Sequence, residues 1–199
     1  MGVSAVTAWR PWLLPLALLV AFAYFFGSAL YIYAKAQLAQ WLIADAWQQT
    51  LAGEREVTPW SWADTWPVAK LRIKDEELYV LQGASGRVLA FGPGHVNHSA
   101  KPGERGNTVI GGHRDTHFAV LQDISEHDLI ELQSIHGSRR YRVVKIRVVP
   151  ADDTRWLAPS TSDQLTLITC YPFDGMAGQA KLRYVVVAEP DKVQAALSF

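Results

Sequence analysis

Residues 164–172 read Gln-Leu-Thr-Leu-Ile-Thr-Cys-Tyr-Pro. The run from Gln164 to Cys170 has the apolar and β-branched character of a strand, and Pro172 follows almost at once. Proline cannot continue a central strand, so Cys170 stands at the strand's mouth and not in its middle. Outward from this run, the chain after Val68 is a series of similar segments. They are Ala69–Ile73, Leu78–Gln82, Val88–Phe91, Thr108–Gly112, Leu129–Gln133, Tyr141–Val149, Leu165–Thr169 and Leu182–Ala188. Gly83/Gly86, Pro93/Gly94, Pro102/Gly103/Gly106 and Gly137/Ser138 punctuate them as turn signals. Eight short strands in about 120 residues, with few helical runs, predict a compact all-β barrel or sandwich.

The N-terminal part is of another kind. Pro11 to Ala34 are 24 consecutive residues without a formal charge, and a bilayer-spanning helix needs about 20. Trp9 and Trp12 mark one end and Tyr31 and Tyr33 the other, as expected at two interfaces. Ala34-Lys35-Ala36 and Ala44-Asp45-Ala46 have the small-x-small pattern of a cleaved signal peptide. The uncharged stretch exceeds the usual signal core of about 7–15 residues, which favours an uncleaved anchor. Arg10 before the span and Lys35 after it leave the positive-inside count nearly tied, so charge does not orient the helix. Residues 36–52 read as a further helix, with Leu38, Trp41, Leu42, Ala46 and Leu51 near the 3.6 spacing and Gly53 as its stop. Thr58–Pro67 holds three tryptophans and prolines near both ends, and reads as an extended linker packed on the domain. The expected organisation is an anchor over 1–35, a helical stalk and Trp/Pro-rich linker over 36–67, and a β-rich domain over 68–199.

Composition excludes several classes. The 199 residues carry 19 Lys+Arg against 19 Asp+Glu. That balance argues against a strongly basic nucleic-acid binder. Removing residues 1–35 takes away Arg10 and Lys35 and no acid, leaving 17 basic and 19 acidic residues. A single cysteine excludes an internal disulfide framework and any multi-cysteine zinc site.

Cys170 is also the most informative residue. A lone cysteine is commonly a small buried hydrophobe, yet an unpaired thiol in an exported domain is a liability unless used. A nucleophilic thiol needs a base or cation beside it, since its free pKa is about 8.5. Of the six histidines, His113 is best placed, at the end of Thr108-Val-Ile-Gly-Gly-His113, where it either lines a groove or lies on the surface. His113 and His117 have i, i+4 spacing, but Gly111-Gly112 argues against the helix a metal pair needs, and no glutamate follows the first histidine. Arg183 shares a strand face with Val185 and Val187, unusual for a purely solvated arginine. It either stabilises an oxyanion or sits at the rim in an ion pair, with Arg114 and Arg155 as rivals.

These residues carry a resemblance. Thr166-Leu-Ile-Thr-Cys170 matches the TLxTC signature of sortases, the membrane-anchored cysteine transpeptidases of bacterial surfaces. Ile110–Phe118, IGGHRDTHF, resembles the sortase histidine segment, and Lys181-Leu-Arg-Tyr-Val-Val resembles the segment carrying the family's arginine. Cys170 lies 57 residues after His113, and Arg183 13 after Cys170. The similarity covers about residues 68–189, and the stalk with its Trp/Pro segment resembles the proteobacterial-type, class GN, sortases.

The resemblance implies an eight-stranded sortase β-barrel. It implies that Cys170 forms a thioester with a C-terminal sorting signal of an exported protein, and that His113 exchanges protons with the leaving and incoming amines. Arg183 would hold the oxyanion. Thr169, Arg114 and, in the loop Pro150–Asp163, Trp156 are the expected substrate-binding residues; Gly175 and Gly178 in the following loop would let it move. The implied acceptor is a peptidoglycan or protein amine. No metal or organic cofactor is required, and the domain would face outward from the inner membrane. A peptidase that only hydrolyses, and a non-catalytic tethered β-domain binding a surface protein, are the alternatives.

Overall fold

A computed structural model describes residues 12–175 and 180–191. Trp9 and Gly178 lie outside the described residues. One helix, α1, runs without interruption from Leu13 to Leu51. Met1–Ala39 and Gln40–Phe199 form two separate compact units. In the first, the helix is long and apolar enough to cross a membrane, and none of its most apolar window is buried against protein. In the second, the last turns of α1 bury Ile43, Ala46 and Trp47. Gly53, with φ +106°, follows the helix, and its N–H returns to Thr50 O at 3.1 Å. Only glycine adopts that left-handed conformation freely, so the helix stops there.

The rest of the second unit is a closed eight-stranded barrel. Its elements are β1 (Pro67–Ile73), β2 (Glu76–Gln82), the short helix α2 (Gly86–Leu89), β3 (Gly94–His95) and β4 (Asn107–Gly111). They continue as β5 (Leu129–Ser134), β6 (Gly137–Pro150), β7 (Gln164–Tyr171) and β8 (Leu182–Pro190). Around the barrel the order is β1-β2-β3-β4-β7-β8-β6-β5, with β5 returning to β1. Only β2–β3 and β4–β7 pair in parallel. Alternating residues point inward: Leu71, Ile73, Val80, Ile110, Ile130, Leu132, Leu165, Leu167 and Val186 fill the core with Phe118, Leu121 and Tyr141.

Seven of the eight expected strands are present. The eighth differs: Val88–Phe91 is not a strand but lies in and beyond α2. Ser85 Oγ accepts Val88 N–H at 3.4 Å as an N-cap. Val88 and Phe91, three residues apart, pack together toward Leu81, Ile43 and Trp60, a spacing that suits a helical turn. The missing strand is β3, only two residues long. A Cβ at Gly94 would fall 2.1 Å from Gly83 O, so the contact with the end of β2 requires glycine. The Trp/Pro segment is folded into turns rather than extended. Trp60 packs edge-on to Phe91 at 4.9 Å between centroids, Trp66 O accepts Gln82 N–H, and Trp62 remains 68% exposed.

Candidate active site

Three strand ends meet at one edge of the barrel. β7 lies between β4 and β8. On one side Cys170 is the direct cross-strand partner of Arg183. Antiparallel partners project to the same face. On the other side β4 runs parallel to β7 with Gly111 opposite Ile168. The 57-residue offset of that register carries two residues further to His113 and Cys170. The ladder persists just past the strand, since Gly112 N–H donates to Ile168 O at 3.1 Å.

Cys170 and Arg183 face away from the core. Leu165 and Leu167 of β7 and Val186 and Ala188 of β8 are interior, so alternation places Ile168, Cys170, Arg183, Val185 and Val187 on the outer face. There Val149, Val185 and Val187 form a separate apolar patch with Ile168 and Trp156. Trp156 belongs to the 3₁₀ turn Thr154–Leu157 in the loop between β6 and β7. Its indole N–H donates to Asp153 Oδ2 at 3.2 Å. Hydrogen bonding from Arg155 holds the Asp153 carboxyl down at about 2, and Arg155 itself is 86% exposed. An apolar strip covered by Trp156 thus leads along the outer face to the thiol.

The loop after β4 is held by packing and hydrogen bonds. His113 is exposed, and Arg114–Phe118 form turns rather than the helix that a His113/His117 metal pair would need. Phe118 is fully buried and returns its N–H to His113 O at 2.9 Å. A Cβ at Gly112 would lie 2.7 Å from the Phe118 ring, so glycine lets the loop close over the core. Thr169, nearly fully buried, donates its hydroxyl to Gly112 O at 2.8 Å and so fixes the residue before His113 to the strand of Cys170. Burial pushes His117 below the ordinary histidine value, and nearby His113 adds to the shift, while a bond to Ala90 backbone opposes it. Among the described residues, no three His, Cys, Asp or Glu side chains cluster as metal ligands.

The two arginines differ. Arg114 is 4% exposed. Its Nη1 donates to Pro172 O at 2.7 Å, its Nη2 to Gly175 O, and its Nε to Asp115 Oδ1 at 3.2 Å. It clamps the chain directly after Cys170, with its donors turned to two backbone carbonyls and the Asp115 carboxylate. Arg183 is half-buried, and its Nη1 donates to Ala180 O at 2.8 Å and Leu182 O at 3.0 Å. Tyr171, Phe173 and Tyr184 pack beneath this edge, with Phe173–Tyr184 centroids 5.2 Å apart.

Sequence reasoning missed Asn107. Its Nδ2 donates to Trp156 O and Ala158 O, both at 3.0 Å, and its Oδ1 accepts from Thr166 Oγ1 at 2.7 Å. It ties the Trp156 loop to β4 and β7. An asparagine opening an apolar strand was the available signal, because a polar side chain there needs several partners.

The sortase domain family matches residues 71–191 of this chain. The chain belongs to the sortase family. Sortase D of Bacillus subtilis (strain 168) is 35% identical over 111 residues, covering 55% of this chain and 56% of that one. The chain thus matches little more than half the length of this curated relative. Among solved structures, a lid mutant of sortase A from Corynebacterium diphtheriae has a TM-score of 0.60 at 28% identity, covering 78% of this chain and 91% of that one. The catalytic domain of B. anthracis SrtD has a TM-score of 0.54 at 33% identity, covering 63% and 87%.

Proposed function

We propose that this chain is a membrane-anchored cysteine transpeptidase of the sortase type. The convergence of His113, Cys170 and Arg183 at the ends of β4, β7 and β8 carries the reading. The Cys170 thiolate attacks the carbonyl carbon of a peptide bond in the C-terminal sorting signal of an exported protein. A C–S bond forms, the C–N bond breaks, and His113 gives its proton to the departing amine. Arg183 donates to the oxyanion of each tetrahedral intermediate. An incoming amine, from peptidoglycan or protein, then attacks the thioester as His113 takes its proton, and Cys170 leaves as thiolate.

The outer apolar strip of Ile168, Val185, Val187 and Trp156 suits the side chains of a sorting signal lying along the strands. Thr169 and Arg114 act as positioning residues, through Gly112 and through Pro172 and Gly175. The uncharged helix is the anchor, with the barrel on the outer side of the inner membrane, and the stalk with its Trp/Pro segment supports the class GN assignment. The organisation into anchor, stalk and catalytic domain follows the same reading.

The test incubates the full chain in nanodiscs with a library of C-terminal sorting peptides and an amine, and looks by mass spectrometry for acyl-Cys170. The adduct is expected in the wild type, absent in Cys170→Ala, and slow to form in His113→Ala and Arg183→Ala. Full turnover in Cys170→Ala would refute the mechanism, and amine-independent release would mark a hydrolase.

A further inference from the structure

Trp62 is an exposed indole with an apolar setting. It stands 5.2 Å from the Trp60 ring, which packs on Phe91. These three aromatics, with Ala63, Ala90, Asp64, Thr65 and Arg87, line an open pocket of about 250 Å³. Arg87 is paired with Asp64 at 3.3 Å, so the rim carries little net charge. The proposed mechanism uses none of these groups.

The chain itself says what covers this patch. Gln40, the first residue of the compact unit, donates its side-chain amide to Phe91 O at 2.8 Å. Ile43, 1% exposed, packs with Trp60 and Phe91. Lys35, the first charge after the uncharged run, is only five residues before Gln40, and five residues reach at most about 17 Å. The patch is therefore tethered near the headgroup region, which adds roughly 5–8 Å to each side of the hydrocarbon core. Tryptophan is the side chain most suited to that zone, with an apolar ring and one N–H donor. Trp41, 64% exposed, lies between the two anchoring residues.

We propose that the barrel docks on the bilayer that holds its own anchor, with Trp62, supported by Trp60 and Phe91, inserted among lipid headgroups. This rests on the anchor reading above.

The test uses the full chain in phosphatidylcholine nanodiscs, with and without lipids brominated near the headgroup end of the acyl chain. Subtracting the emission of Trp62→Phe, a variant of an exposed residue, isolates the Trp62 signal. The expected result is quenching of that signal by the brominated lipid and loss of its quenching by aqueous acrylamide. Acrylamide quenching with no response to bromine would overturn docking and leave the anchor intact. Shielding from acrylamide without bromine quenching would also overturn it, since a protein surface would then cover the indole. Extraction of the chain by alkaline carbonate would overturn the anchor reading and docking with it.

Discussion

Gly112→Ala tests whether the closure of the loop after β4 positions the candidate base. A Cβ there would lie 2.7 Å from Phe118 Cγ and Cδ2 and 3.0 Å from Cδ1. Carbon atoms rest at about 3.5–4.0 Å, so the ring or the loop must retreat by nearly an ångström. Phe118 cannot swing outward, being fully buried among Leu121, Ile110 and Leu167. Gly112 cannot easily lift either, since its N–H and C=O are bonded to Ile168 O and Thr169 Oγ1. Overpacking of this kind costs about 1–3 kcal/mol, or about 2–12 °C in melting temperature at about 2–4 °C per kcal/mol. The turn that shares the strain begins at His113, and a displacement of about 1 Å at a catalytic group can cost about 100-fold in rate. Thermal melts and the rate of Cys170 acylation measure the two effects. Phe118→Leu removes the clashing ring, so the double variant should be more stable than the sum of the single losses. Strict additivity, or an unchanged melt and rate in Gly112→Ala, would refute the packing account.

The remaining predictions concern charge. Arg114→Lys loses the planar fork that serves Pro172 O and Gly175 O together; denaturant melts should show a loss of about 1–3 kcal/mol, and acylation of Cys170 should slow. Burial, with the Asp163 carboxylate, raises Tyr141 from 10.0 to about 12 against the opposing pull of Arg139. The unfolded phenol ionises first, so stability is intact below pH 10 and is lost as pH rises toward about 12; Tyr141→Phe should flatten that decline and remove the last phenolate absorbance step.

The strands were legible where an apolar run was bounded by turn residues, as at Leu129–Gln133 and Leu182–Ala188. β3 was hidden because two residues carry no period, and its Gly94 resembled turn punctuation. Val88–Phe91 misled because a short apolar run fits a strand or a helical turn equally, and Ser85 as an N-cap was the discriminating signal. At the candidate site, Pro172 announced the strand end at Cys170. The pairing of Cys170 with Arg183 could not be read, since register depends on packing across the whole sheet. Arg114 shows the same gap. Nothing local distinguishes an arginine that faces a groove from one buried against the carbonyls of Pro172 and Gly175, because those partners lie 58 and 61 residues away.

The contrast between the two arginines bears on the order of events in the proposed reaction. Arg114 is enclosed, and breaking its bonds to Pro172 O and Gly175 O would leave a guanidinium only 4% exposed without those acceptors, at a cost of about 1–3 kcal/mol or more. It is therefore fixed. Arg183 instead holds an exposed bond to Leu182 O on its own strand and a second to Ala180 O. These bonds are charge-assisted through the guanidinium, but they lie part-buried and exposed, so water can replace the carbonyls. An oxyanion forming at the cross-strand position of Cys170 is a stronger acceptor, because it adds charge–charge attraction to a bond whose donor is already ionised. In the proposed reaction the guanidinium would exchange its backbone partners for the oxyanion as charge develops, and its help would be greater in the transition state than with bound substrate. Arg183→Ala should accordingly lower kcat for acylation more than it raises KM.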